Sequence, residues 1–149
     1  MNKILFFVTV FAVTQLQATG QFMCQADDES LKADIFLSLA GAGGGLLSGS
    51  KVKIHFKKKN PFKSKALFFQ GSQERSVFPH FWMLNDELKF RAYMEPNSKN
   101  FSTYSFVVDT KLLVSKERLY RGLYRLEMEE PSSERKHVLS GAIRCAEEL

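Results

Sequence analysis

Hydrophobic and polar positions alternate along most of this chain. The clearest run is residues 46–58. Leu46, Ser48, Ser50, Val52, Ile54 and Phe56 fall on one side of an extended backbone, and Leu47, Gly49, Lys51, Lys53, His55 and Lys57 fall on the other. Residues 31–40 repeat the pattern, with Leu31, Ala33, Ile35, Leu37 and Leu39 on one face and Lys32, Asp34 and Ser38 on the other. Phe36 joins the polar face, where it reads as a lone exposed aromatic. In 87–94 the inward set is Leu88, Phe90, Ala92 and Met94. In 119–130 it is Tyr120, Gly122, Tyr124, Leu126 and Met128, with Leu123 an apolar exception outside. The return run places Leu139, Gly141, Ile143 and Cys145 together. A period of two residues is that of a half-buried β-strand.

Shorter segments complete the series. Residues 21–25 and 66–70 read as short strands, and 100–109 as a strand of aromatic and β-branched residues. Residues 111–115 fit an extended continuation better than a brief helix. Residues 76–84 are apolar on both parities and carry Pro79 in their middle. Proline cannot donate to a ladder, so this is an edge strand, a bulge or two pieces. Turn chemistry falls between the runs: 26–30, 41–45, 58–61, 71–75, Asn85-Asp86, 95–99 and 131–133. Eight to ten short strands without a long amphipathic helix predict an all-β fold, a small antiparallel β-barrel or sandwich. Pairing of sequence neighbours in up-and-down order is the simplest topology.

The start of the chain stands apart. Lys3 is followed by an apolar run, Ile4 to Val13, and Ala18-Thr19-Gly20 offers small residues for cleavage. This layout predicts a secretory signal peptide over 1–20, too short in its apolar part to span a bilayer, and a single domain over 21–149. Export changes the reading of the two cysteines. In an oxidising compartment Cys24 and Cys145 have one intramolecular pairing open to them, so a disulfide joining the first and last strands is expected.

Fourteen phenylalanines agree with the strand reading. The charge is +5 overall and unevenly placed. Lys51, Lys53, Lys57, Lys58, Lys59, Lys63 and Lys65 crowd a single predicted hairpin that contains no acid between residues 51 and 65. A basic hairpin suits a polyanion: anionic lipid, lipopolysaccharide or a cell-wall polymer, with Phe62 at its tip. Nucleic acid ranks below these for an exported chain. The bland reading is a charged outer face that keeps a sheet soluble and guards its edge.

Catalytic chemistry is not legible. Counting from Gly41, the third glycine of GxGxxG falls at Leu46, and a strand pattern follows instead of a helix. His55, His80 and His137 share no zinc-motif spacing, and no GxSxG is present, so no metal, cofactor or nucleophile is expected. Asp27-Asp28 and Glu129-Glu130 read as lying in turns, where solvated acids are the default. Asn100-Phe101-Ser102 matches a glycosylation sequon, which matters only in a eukaryotic source. A barrel tied by a disulfide between its ends is similar in plan to small periplasmic lysozyme inhibitors, although their Ser-Gly-x-x-Tyr loop is absent. The expected function is non-catalytic binding at the cell envelope, periplasmic or secreted. The alternatives are a protein-binding or inhibitory barrel acting through its loops, and a carrier of an apolar ligand.

Overall fold

The computed structural model describes residues 20–40, 46–57, 66–70, 77–95, 102–114, 116–130 and 135–148. Most of the expected signal segment, the glycine loop 41–45, the hairpin connection 58–65, most of the sequon and the turn 131–133 lie outside them. The described residues form nine strands: β1 (Gln21–Asp27), β2 (Leu31–Ala40), β3 (Leu46–Phe56), β4 (Ala66–Gln70), β5 (Val77–Leu84), β6 (Glu87–Met94), β7 (Thr103–Val114), β8 (Leu119–Glu130) and β9 (Arg135–Glu148). Residues 111–114 belong to β7, as the extended reading expects. Among the described residues no helix is long and apolar enough to cross a membrane.

All nine strands belong to one antiparallel sheet, in the order β4-β3-β2-β1-β9-β8-β7-β6-β5. Every sequence neighbour pairs except β4 with β5. The barrel alternative therefore describes this chain, and the two-sheet sandwich does not. Two meanders, β1 to β4 and β5 to β9, are joined where β1 pairs with β9. The sheet curls into a half-barrel, with β5 passing close to β3. Its open side lies between β4 and β5, whose facing edges are unpaired among the described residues. Pro79 sits in β5, on an edge, where its missing N–H is tolerated. Asn85 and Asp86 join β5 to β6 as a two-residue turn, and Asn85 takes φ 54°, a left-handed conformation that asparagine tolerates.

The inward positions read from the alternation form the core. Leu31, Ala33, Ile35, Leu37 and Leu39 of β2 are buried, as are Leu88, Phe90, Ala92 and Met94 of β6 and Tyr120, Tyr124, Leu126 and Met128 of β8. Each large apolar side chain fully buried in this way contributes about 1.5–3 kcal/mol. The aromatic residues fill the interior against one another. Phe22 meets Tyr120 edge-on at 5.9 Å and Phe81 at 6.0 Å, and Phe106 stacks on Tyr124 at 5.8 Å. Of the polar side chains brought inside, Thr110 donates its hydroxyl to the Leu88 carbonyl at 2.8 Å, and the Ser105 hydroxyl accepts the Arg91 Nε–H at 3.2 Å.

One stretch departs from the simple alternation. Ser38 pairs with Gly49, but Leu39 pairs with Leu47, so Ser48 is an extra residue in β3. The bulge reverses the faces beyond it. Leu47, expected outside, packs against the core, whereas Ser48, expected inside, is exposed and donates its hydroxyl to the Ser38 carbonyl at 2.9 Å. A single-strand reading cannot see an insertion relative to a partner strand.

Cys24 and Cys145 are directly opposed on β1 and β9, with Cα atoms 3.9 Å apart, and form the expected disulfide. The bond lies on the inner face and joins the two meanders at their seam. Both cysteines are buried.

Candidate functional site

The outer face of β3 is built by alternation alone. Lys51, Lys53 and His55 point outward from it, and Lys57 follows directly after its end; all four are exposed. Lys58, Lys59, Lys63, Lys65 and Phe62 lie outside the described residues. The three described lysines have different surroundings. Lys57 forms an ion pair with Asp27, whose carboxyl is held below its ordinary range by the hydrogen bond and the charge of that ammonium. Lys53 lies directly opposite Asp34. Lys51 leans over the ring of Phe68 on β4, 6.0 Å from its centroid. Phe68 is 43% exposed, so a cation and an apolar ring are offered to solvent together. Lys57 is thus partly neutralised in an exposed ion pair, and Lys51 and Lys53 carry outward charge without one among the described residues.

Lys51 and Lys53 are two residues apart on one strand, so their attachment points are about 6.8 Å apart. Two flexible ammonium groups at this spacing attract any repeating anion without fixing its orientation. The arrangement suits attachment to a charged surface better than recognition of one small molecule. Phe68 was not singled out from sequence, because only the β3–β4 register shows that it lies under a lysine.

A second polar cluster is half-buried at the turn between β1 and β2. Asp28, expected to be a solvated turn acid, reaches inward. Its Oδ1 accepts the backbone N–H groups of Ser30 at 2.7 Å and Leu31 at 3.0 Å, and its Oδ2 accepts the Tyr124 hydroxyl at 2.5 Å. Tyr124 is directly opposite Gly141. A Cβ at Gly141 would stand 2.2 Å from Asp28 Oδ2 and 2.7 Å from Tyr124 Cε1, so the glycine leaves room for this pair. Burial pushes the Asp28 carboxyl up, but the Tyr124 hydroxyl, the two amides and nearby Lys57 outweigh it, and the net shift is downward. The Tyr124 hydroxyl is pushed up, first by burial and then by the Asp28 carboxylate. With both carboxylate oxygens occupied, the cluster pins the turn to the barrel wall. The signal for half of it is local, an aspartate two residues before a serine in a turn; its tyrosine partner is 96 residues away.

This cluster has a pH signature. The folded-state value of Asp28 lies below its unfolded value of about 4, so its contribution is complete above that pH and is lost as pH falls through the folded value. In Asp28→Asn this part of the acid dependence disappears. Unfolding free energies of the two proteins are expected to converge as pH drops from 6 toward 2, and parallel curves would remove the assignment. Tyr124→Phe removes one donor from a half-buried carboxylate and is expected to cost about 1–2 kcal/mol at neutral pH.

The three histidines are not brought together: His55 is on β3, His80 on β5 and His137 on β9. Among the described residues no group of three or more His, Cys, Asp or Glu side chains is placed to hold a metal ion. Glu147, largely buried at the end of the sheet, is tied by an ion pair to Arg118 at 2.8 Å. Comparison of the chain with family models, with curated proteins and with solved structures finds no match.

Proposed function

We propose that this chain is an exported, non-catalytic binding protein of the cell envelope, periplasmic or secreted, that engages an anionic surface or polymer through the β3–β4 hairpin. The observation that carries this reading is the outward placement of Lys51 and Lys53 beside exposed Phe68, at the base of a connection that holds four more lysines in sequence. Anionic lipid, lipopolysaccharide and anionic cell-wall polymers share the chemistry such a face attracts. The disulfide supports an oxidising compartment. The mutual packing of Phe22, Phe81, Phe106, Tyr120 and Tyr124 favours a surface role over carriage of an apolar ligand inside.

Cosedimentation of the oxidised protein with phosphatidylglycerol vesicles and with phosphatidylcholine vesicles, over a salt series, tests the proposal. Binding to the anionic vesicles alone, falling as salt rises, is expected. At about 1 kcal/mol per engaged lysine, Lys51→Gln with Lys53→Gln is expected to weaken binding about thirtyfold. Failure to bind at low salt, or unchanged binding by the double variant, overturns it. Vesicles doped with lipopolysaccharide separate that target from phospholipid.

A further inference from the structure

The register of the sheet aligns outward residues of neighbouring strands into rows. One row runs Leu119, Ala146, Met23, Phe36 across β8, β9, β1 and β2, each residue the direct partner of the next. All four are apolar and lie on the outward parity, and Met23 is 37% exposed. Phe36 therefore has apolar neighbours across the strands. Two residues along the strands on one side, the row is polar: Arg121, Arg144, Gln25, Asp34. On the other side it is Glu148, Gln21, Ser38 across β9, β1 and β2. An open groove crosses the row along β1 and β9, lined by Met23, Gln25 and Asp27 of β1 and Arg144, Ala146 and Glu148 of β9, with Leu119 at its side.

The charges on this face are unusual. Arg121 and Arg144 are directly opposed on adjacent strands, an arrangement in which like charges repel. Both are exposed, and neither forms an ion pair among the described residues; the same holds for Glu148. Other outward charges are matched within the sheet, Lys57 with Asp27, Lys89 with Glu87 and Asp109, and Lys136 with Glu127 and Glu129, although Lys51 and Lys53 are not among the described residues so matched.

The pattern complements itself. On β9 the outward order is Arg144, Ala146, Glu148; on β1 it is Gln21, Met23, Gln25; on β2 it is Asp34, Phe36, Ser38. Two copies laid face to face, with a two-fold axis along the apolar row, bring each strand against itself in reverse. Arg144 then meets Glu148 of the second copy, and Glu148 meets its Arg144. Gln25 meets Gln21, Asp34 meets Ser38, and the apolar residues meet their own counterparts. No like-charge contact arises along β9, β1 or β2. Lys51 follows Phe36 in the row, but it leans over Phe68, away from the patch.

We infer that the chain forms an isologous homodimer through this outer face of β8, β9, β1 and β2, with reciprocal Arg144–Glu148 ion pairs bordering the apolar row. Between backbone positions the patch measures about 14 Å by 14 Å, from strand spacing and rise. Even with its side chains it falls short of the roughly 800 Å² per partner of a standard interface, so the association is weak and reversible. This inference does not depend on the proposed function.

Sedimentation velocity of the oxidised protein from micromolar to millimolar concentration tests it. A concentration-dependent monomer–dimer equilibrium is expected. Arg144→Glu alone and Glu148→Arg alone each place like charges across the two-fold and are expected to weaken it at least tenfold. An equimolar mixture of the two single variants matches opposite charges again and recovers a heterodimer, as the double variant recovers a homodimer. Unchanged thermal midpoints show that the variants fold. A wild type that stays monomeric throughout, a dimer that survives both single variants, or a mixture that fails to associate overturns the inference.

Discussion

Replacing Cys24 and Cys145 together by alanine is expected to lower the unfolding free energy by about 4–5 kcal/mol. The two residues are 121 apart in sequence, so the bond closes nearly the whole described chain into one loop. In the chain-entropy account a loop of this length removes about 4–5 kcal/mol of conformational freedom from the unfolded ensemble. A small domain has about 5–15 kcal/mol in total, so the variant sits near the edge of folding at 37 °C. The position of the bond raises its importance. The β1–β9 ladder is the hydrogen-bonded seam between two meanders, and the disulfide lies inside that seam. Without it the halves are held together by that ladder, their shared core and the chain linking β4 to β5. Denaturant titration of the double variant, beside wild type with and without reductant, measures the loss. A difference below about 1 kcal/mol would show that the unfolded chain gains little freedom on opening.

Gly122→Ala is expected to cost about 3 kcal/mol or more, for a steric reason. Gly122 on β8 pairs with Thr110 on β7. A Cβ there would stand 1.9 Å from the Asp109 carbonyl oxygen and 2.6 Å from the Thr110 Cα. These are backbone atoms of the partner strand, which no rotamer change can move. Overpacking against side chains costs about 1–3 kcal/mol; here the β7–β8 ladder itself must open. Gly49→Ala is the matched control, since the nearest atom to its added Cβ is Ser38 Cβ at 3.9 Å. The expected order is a large loss at Gly122 and less than about 1 kcal/mol at Gly49, read from denaturation midpoints. Equal losses would mean that β-propensity, not the β7–β8 approach, governs both sites.

Much of this molecule is legible one strand at a time. β2, β4, β6 and β8 begin and end where the alternation and turn residues place them, and the large inward residues read for β2, β6 and β8 are buried. The period is local: successive side chains of an extended backbone point to opposite faces whatever the partner strand. Pro79 narrows its stretch to an edge strand, a bulge or two pieces because its backbone lacks a donor, and two cysteines have only one intramolecular pairing. The lysine face of β3 is legible for the same reason, down to which side of the strand Lys51 and Lys53 occupy.

What the sequence by itself determined, then, is where most of the strands lie, which apolar residues face inward away from the Ser48 bulge, and which cysteines join. The tertiary structure decided how the strands meet. Among the described residues the half-barrel stays open between β4 and β5 and is joined through β1 and β9, and the Ser48 bulge turns Leu47 inward. Phe68 lies under Lys51, and Asp28 is held by a tyrosine 96 residues away. The apolar row from Leu119 to Phe36 forms only when four strands from opposite ends of the chain take their places side by side. The physical reason is that a strand's alternation is set by its own backbone, whereas register is a relation between two backbones, settled by ladder hydrogen bonds and shared core packing.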